Sequence, residues 1–347
     1  MTNHAQLTNL GWQPFFQQQL CLSEWETTVP ARVTERHRSC FQLATGQESF
    51  QIPITPSLPD VTVGDWLLLD SDQRVQRRLD RKTLFKRRAA GPEAREQLIA
   101  ANVDVALVVC ALQGDFNLNR IERYLSLCHE AGAEPVVVLS KADQFQQSEN
   151  FRSQVQGLDP LLSVHCLDTR EPEQVQALLP WCGAGTTVVM LGSSGAGKST
   201  LTNTLMNAQC QRTGSVRAGD ARGRHTTTRR SLLEMPGGAL VLDTPGMREL
   251  QLTDCAQGVA STFEDIEALA AQCRFPDCQH QQEPGCAVTG ALEAGALDAR
   301  RLANYHKLIR EQAHNTATLA QRRAQDRQLS RKYRGVQQVR NRQRYGD

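Results

Sequence analysis

No stretch of this 347-residue sequence approaches the ~18 consecutive apolar residues of a membrane-spanning helix, so no membrane partner is expected. The polar start, Met1–Gln19, has no apolar core ahead of a small-residue cleavage site, which predicts no secretory signal and a cytoplasmic address. Charge of one sign is also scarce. With 39 Lys and Arg against 37 Asp and Glu, the net charge of +2 gives no argument for a nucleic-acid partner by itself. Cysteine is present 11 times, an odd number in a chain without an export signal, so a disulfide framework is not expected; metal ligation or free thiols are the better reading. The remaining composition, 40% hydrophobic and 22% charged, is that of a soluble globular protein, and its length suggests roughly two or three domains.

The most informative stretch is Val188-Val189-Met190-Leu191 followed by Gly192-Ser193-Ser194-Gly195-Ala196-Gly197-Lys198-Ser199-Thr200. A buried-strand run leads into Gly-x-x-x-x-Gly-Lys-Ser, and Leu201 to Met206 continues at helical spacing, the setting a phosphate-binding loop needs. Glycines let successive N–H groups turn inward, Lys198 can reach the β- and γ-phosphates, and Ser199 can hold Mg²⁺. This predicts a nucleoside triphosphate site.

Ahead of it, residues 1–28 are Gln-rich with scattered aromatics and read equally as a mobile arm or a lead-in. Short runs then alternate with turns: Ala31–Thr34, Cys40–Leu43, Ser49–Ile52 and Asp65–Leu69, punctuated by Pro53, Pro56 and Pro59. This spacing fits a small OB-like barrel, a fold used for oligonucleotides and also as a plain protein module. The basic run Arg74, Arg77, Arg78, Arg81, Lys82, Lys86, Arg87, Arg88 at its exit favours RNA.

From Val103 the period changes. Val103–Cys110 and Pro135–Leu139 are near-continuous apolar runs flanking a helical pattern over Leu118–Ala131, which predicts α/β alternation with strands buried on both faces. The second run ends in Ser140-Lys141-Ala142-Asp143, where ligands bind in open parallel sheets. It resembles the Lys-x-Asp element of GTPases: an Asp accepts from guanine N1–H and the 2-amino group, donors that adenine lacks. After the phosphate loop, Gly223-Arg224-His225-Thr226-Thr227-Thr228 offers a threonine for Mg²⁺, and Asp243-Thr244-Pro245-Gly246 ends another apolar run. Asp243 is suited to Mg²⁺ through water, and the Gly246 N–H to a γ-phosphate. Most GTPases place Lys-x-Asp last; here it precedes the phosphate loop, so the domain is circularly permuted. Nucleotide state at the Asp-x-x-Gly element could then move the C-terminal domain.

That C-terminal domain includes Cys273-x₄-Cys278-x-His280-x₅-Cys286, a Cys₃His set suited to one structural Zn²⁺ in a closed tetrahedron. Leu292–Ile309 reads as helix, and Leu319–Tyr345 as an Arg/Gln-rich helix or arm able to lie on phosphates. From Arg300 to Asp347 there are 13 Lys and Arg against 3 Asp and Glu.

Together, a small barrel, a permuted GTPase domain and this Cys/His element resemble the RsgA/YjeQ family, the ribosome small-subunit-dependent GTPases. Gln97–Asp104 and Gly223–Thr228 are also similar to that family. The resemblance implies a multidomain α/β protein: a polar extension (1–28), an OB-like barrel (29–88), the permuted GTPase domain (89–250), a zinc-binding α-helical domain (251–310) and a basic tail (311–347). It further implies a monomer that binds GTP or GDP, Mg²⁺ and Zn²⁺, partners the small ribosomal subunit and its rRNA late in assembly, hydrolyses GTP faster there, and then leaves. Ser140 stands where the family has Asn, which implies one fewer guanine hydrogen bond and a weaker brace to the phosphate loop. His165-Cys166-Leu167 stands where the family's Ser-Ala element supports the guanine.

Met247 comes directly after Gly246, where many GTPases carry a water-orienting Gln, and a thioether cannot position water. His225 is the candidate for that catalytic role. Two other classes stay open on the sequence: an ATP-using P-loop enzyme, against which Asp143 argues, and an RNA-binding module that keeps nucleotide with little turnover.

Overall fold

Trp66–Leu69 contains no polar residue, so as a strand it must be covered on both faces. The computed structural model, which describes residues 4–88, 96–206, 230–243, 255–281 and 283–316, shows both covers. Five strands open the chain: β1 (Val29–Arg36), β2 (Cys40–Ala44), β3 (Ser49–Pro53), β4 (Trp66–Leu69) and β5 (Val75–Arg78). They run antiparallel in the order β3-β2-β1-β4-β5. Leu67 and Leu69 point into a core with Ala31, Val33, Phe41 and Leu43, while Trp66 and Leu68 face Leu7, Trp12 and Phe16. The second cover is the N-terminal segment, which forms short helices His4–Asn9, Pro14–Gln17 and Leu22–Thr27. Residues 4–27 are therefore a packed cover and not an arm, because an exposed Trp66 face would be costly.

The basic run after β4 is largely occupied within the chain. β6 (Leu84–Arg88) pairs with β7 (Glu96–Ala101), and Arg74, Arg77, Arg81, Lys82 and Lys86 face Asp72, Glu24, Asp65, Asp104 and Glu96.

The predicted α/β alternation comes next: β8 (Val105–Ala111), β9 (Glu134–Ser140), β10 (Ser163–Leu167), β11 (Thr187–Leu191), β12 (Arg230–Glu234) and β13 (Leu240–Asp243). The strands β10-β9-β8-β11-β13 are parallel neighbours, and β12 closes the edge antiparallel to β13. Both faces are covered, as the continuous apolar runs require: Leu118–Ala131 lies on one and Lys198–Leu205 on the other. β12 also pairs with β1 through Glu35–Ser231 and Arg36–Arg230, so the N-terminal strands are hydrogen-bonded to the edge of this sheet.

A second join is a buried guanidinium. Arg32, 1% exposed, donates to the Leu10 carbonyl, from Nη2 to the Asn102 carbonyl (3.2 Å) and Thr187 Oγ1 (2.8 Å), and from Nε to the Gly64 carbonyl (3.4 Å). Burial lowers its pKa to about 10.

The C-terminal helices Ala256–Thr262 and Ala299–Thr316 rest on helix Leu118–Ala131, and Glu264–Ala270 and Ala287–Glu293 join the same core. The single helix expected over Leu292–Ile309 is split, because Gly295 takes φ 71° and Asp298 Oδ1 accepts from the Arg300 N–H (2.7 Å) to start a new helix. Gly258 is required by close approach: a Cβ there would lie 2.1 Å from the Ser126 carbonyl. Beneath, the fully buried Glu122 carboxylate accepts from Arg300 (2.9 and 3.0 Å), Arg301 (3.0 Å) and Asn304 (2.5 Å), and Arg301 also grips Asp265 (2.8 Å). No helix among the described residues is long and apolar enough to cross a membrane. The tail expected over Leu319–Tyr345 lies outside the described residues.

Replacing Arg32 with methionine should cost ~3 kcal/mol of stability, since it leaves buried carbonyl and hydroxyl acceptors of four segments without their donor. Chemical denaturation checks this, and an unchanged midpoint would mean that these contacts hold nothing together.

Candidate functional site

The phosphate-binding sequence does what its residues require. Gly192 comes directly after β11 with φ 139°, and a Cβ there would lie 2.1 Å from the Val109 carbonyl of β8, so no other residue fits. The chain then curls through Ser193, Ser194, Gly195 and the buried Ala196 into helix Lys198–Leu205, whose first turn carries Ser199 and Thr200. Lys198 Nζ lies back across the loop, donating to the carbonyls of Gly192 (2.7 Å) and Ser193 (2.5 Å). A cationic head, a glycine-bent loop and a helix N-terminus are thus brought together, an arrangement suited to anionic phosphates.

Loops from three neighbouring strand ends are hydrogen-bonded to this loop or its helix. At the end of β9, the buried Ser140 hydroxyl donates to the Ala196 carbonyl at 2.6 Å. The brace expected to weaken with serine in this position is therefore present. Lys141 comes next with φ 58°, a left-handed conformation unusual for a residue with a side chain, and the chain then makes a tight turn over Ala142–Gln144. Asp143 lies on that turn, its carboxylate partly exposed and accepting from Arg170 Nη2 at 2.9 Å.

Another loop leaves β10. His165 stays on the strand with its ring edge-on to Trp181 (4.9 Å), and Cys166 Sγ turns to the Ser148 carbonyl (3.5 Å). Beyond this strand, Arg170 reaches Asp143, and Asp168 is bonded to the same guanidinium. The Thr169 carbonyl accepts from Thr204 Oγ1 (2.7 Å) of the phosphate-loop helix. Asp168 is held well below the usual carboxylate range by its hydrogen bonds to Arg170.

A further residue that sequence reasoning missed is Asp115, on the loop after β8. Its Oδ2 accepts from Ser193 Oγ at 2.5 Å, and its Oδ1 from Arg120. Its position just past the carboxyl end of a buried strand was the available signal, and the same holds for Asp168–Arg170. Asp243 is the last residue of β13, which pairs with β11. His225, Thr226, Thr227 and Gly246 lie outside the described residues.

The second cluster is local. Cys273, Cys278, His280 and Cys286 bring four donor atoms within 4.8 Å of one another. Cys273 Sγ is 3.6 Å from His280 Nδ1 and 3.9 Å from Cys286 Sγ, and Cys286 Sγ is 3.6 Å from the same Nδ1. A tetrahedral ion with bonds of ~2.3 Å to sulfur and ~2.0 Å to nitrogen spaces its ligands by about 3.8 and 3.5 Å, so the donor set fits a closed metal site.

Compared with known proteins, residues 78–253 match the family described as RsgA GTPase. The chain is 55% identical over 331 residues to the small ribosomal subunit biogenesis GTPase RsgA 2 of Vibrio vulnificus (strain CMCP6), covering 95% of each protein. It is 46% identical over 344 residues to the small ribosomal subunit biogenesis GTPase RsgA of Xanthomonas campestris pv. campestris (strain B100), covering 93% of each. Among solved structures, YjeQ from Thermotoga maritima superposes with a TM-score of 0.61 over 82% of this chain and 98% of that one, at 22% identity. YloQ, a circularly permuted GTPase, does so with a TM-score of 0.58 over 82% and 94%, at 19% identity. The structural likeness is one of fold.

Ser140→Ala should weaken binding of fluorescent mant-GDP about fivefold, the size of one lost neutral hydrogen bond. Unchanged affinity in a fluorescence titration would mean that the 2.6 Å bond to Ala196 carries none of the loop's order.

Proposed function

The chain belongs to the RsgA GTPase family, and on that premise we propose that it hydrolyses GTP as a late maturation factor of the small ribosomal subunit. In this reading the subunit stimulates turnover, and hydrolysis releases the protein. The observation that carries the proposal is the bond between Ser140 and Ala196, which ties the loop bearing Lys141 and Asp143 to the phosphate loop. A base reader and a phosphate cradle then form one site. A carboxylate at the base edge suits guanine, whereas adenine would leave it without a donor.

Each residue has a role in this reading. The N–H groups from Ser193 to Lys198 cradle the phosphates, and Lys198 exchanges its two loop carbonyls for β- and γ-phosphate oxygens. Asp115 fixes the first turn of the loop through Ser193. Ser199, Asp243 and either Thr226 or Thr227 would hold Mg²⁺, which when bound neutralises charge that develops on the phosphates. The Gly246 N–H meets the γ-phosphate. Met247 cannot orient water, so His225, in the same loop as those threonines, aligns the attacking water when the subunit engages that loop.

The domains divide the remaining work. Residues 29–88 act as an OB-like barrel, 89–250 as the permuted GTPase domain and 251–310 as a helical domain stapled by one Zn²⁺. Because five cations of the run from Arg74 to Lys86 already face carboxylates of this chain, rRNA contact falls mainly on the basic tail, 311–347. The protein acts as a monomer in the cytoplasm.

The primary test is phosphate release from GTP, with ATP as control, alone and with purified small or large ribosomal subunits. Stimulation by the small subunit only is expected, and His225→Ala should lower the stimulated rate at least about tenfold with little change in nucleotide affinity. GTP bound without turnover under every condition would favour an RNA-binding module with a regulatory nucleotide. Elemental analysis should find one zinc per chain, and Cys278→Ser should release it; full zinc content in that variant would reject the assigned ligand set.

A further inference from the structure

Arg170 bridges two carboxylates at the base-reading end of the site. Its Nη2 donates to Asp143 Oδ2 at 2.9 Å and to Asp168 Oδ2 at 2.7 Å, and its Nε donates to Asp168 Oδ1 at 3.0 Å. The Arg170 backbone N–H also donates to Asp168 Oδ1, at 3.0 Å. The Asp168 side chain is only 7% exposed, and its own N–H is fixed by Gln174 Oε1 at 2.8 Å. An exposed arginine paired with one exposed acid contributes little, because ordering two flexible side chains cancels the attraction. Here the ordering is done separately: Asp168 sets the plane of the guanidinium, and the remaining Nη2 hydrogen points at Asp143.

We infer that Arg170 is a positioning residue for guanine recognition, holding the Asp143 carboxylate in the plane and orientation that receive the base edge. This rests on the reading of Asp143 as the guanine acceptor. The stoichiometry of lone pairs permits it. A carboxylate has about four acceptor sites; guanine N1–H and its 2-amino group take two, and Arg170 keeps one on Oδ2. Arg170 therefore stays in place when the base enters instead of competing with it. The loop that carries it is tied to the phosphate-loop helix through Thr204 and the Thr169 carbonyl (2.7 Å), so base and phosphate subsites share one frame.

The test is equilibrium binding of GDP, IDP and XDP to the full-length protein and to Arg170→Ala, Arg170→Lys and Asp143→Asn. IDP lacks the 2-amino group, and XDP carries an oxygen in its place. Arg170→Ala should weaken GDP about tenfold, the size of one charge-assisted hydrogen bond, and IDP less, so that the GDP-to-IDP preference falls. Arg170→Lys, which cannot form the planar fork, should restore part of the loss. A variant that binds GDP and IDP with unchanged affinity, binds GDP more tightly, or weakens both equally would overturn the inference, since a merely structural role would not alter the ratio. Asp143→Asn should move preference from GDP to XDP. If it does not, the assignment of Asp143 fails, an outcome distinct from an unmoved ratio in Arg170→Ala.

Discussion

A guanidinium buried against neutral oxygens is costly, and Arg32 is tolerated because four segments turn those oxygens toward it. Leu10 belongs to the N-terminal cover, Gly64 to the turn before β4, Asn102 to the turn after β7, and Thr187 to the strand that delivers the phosphate loop. The remaining architecture is constrained by that meeting point. The cover must sit where Leu10 can reach, which also seals the Trp66 face of β4. β1 must pass the start of β11, which brings its far end into register with β12. The N-terminal strands and the nucleotide sheet are thereby one hydrogen-bonded body.

The nucleotide site is assembled by the same economy of strand ends. Four parallel strands, β8, β9, β10 and β11, present their carboxyl ends together, and the loops that leave them are joined by side chain to side chain or side chain to carbonyl bonds. Asp115 takes the Ser193 hydroxyl, Ser140 the Ala196 carbonyl, and Thr204 the Thr169 carbonyl. Such bonds fix loops that lack a regular hydrogen-bond ladder of their own. They also explain how Lys141 is held at a positive φ: both sides of it are anchored.

The opposite face of the sheet carries a different kind of lock. Helix Leu118–Ala131 begins beside Asp115 and Arg120, next to the phosphate loop, and further along buries Glu122 against Arg300, Arg301 and Asn304. Removing one partner of a buried charged network leaves the rest uncompensated. The helices around the Cys₃His cluster are therefore seated on the same helix whose first turn adjoins the nucleotide loop.

Much of this was legible from local pattern. The helix Leu118–Ala131, the buried strands, the phosphate loop, Lys-x-Asp and the Cys₃His spacing all arise from residues close in sequence, where periodicity and backbone chemistry act directly. Long-range contact decided what that reading left open. The N-terminus is a cover because Trp12 and Phe16 pack on Trp66, and part of the basic run pairs with carboxylates of the same chain. Asp115 and Arg170 carry no motif of their own; they matter because loops distant in sequence converge at the ends of parallel strands. The sequence by itself determined which elements form and what chemistry their turns can perform. Only the tertiary structure decided which charges are neutralised and which side chains meet, since those depend on neighbours that no local pattern specifies.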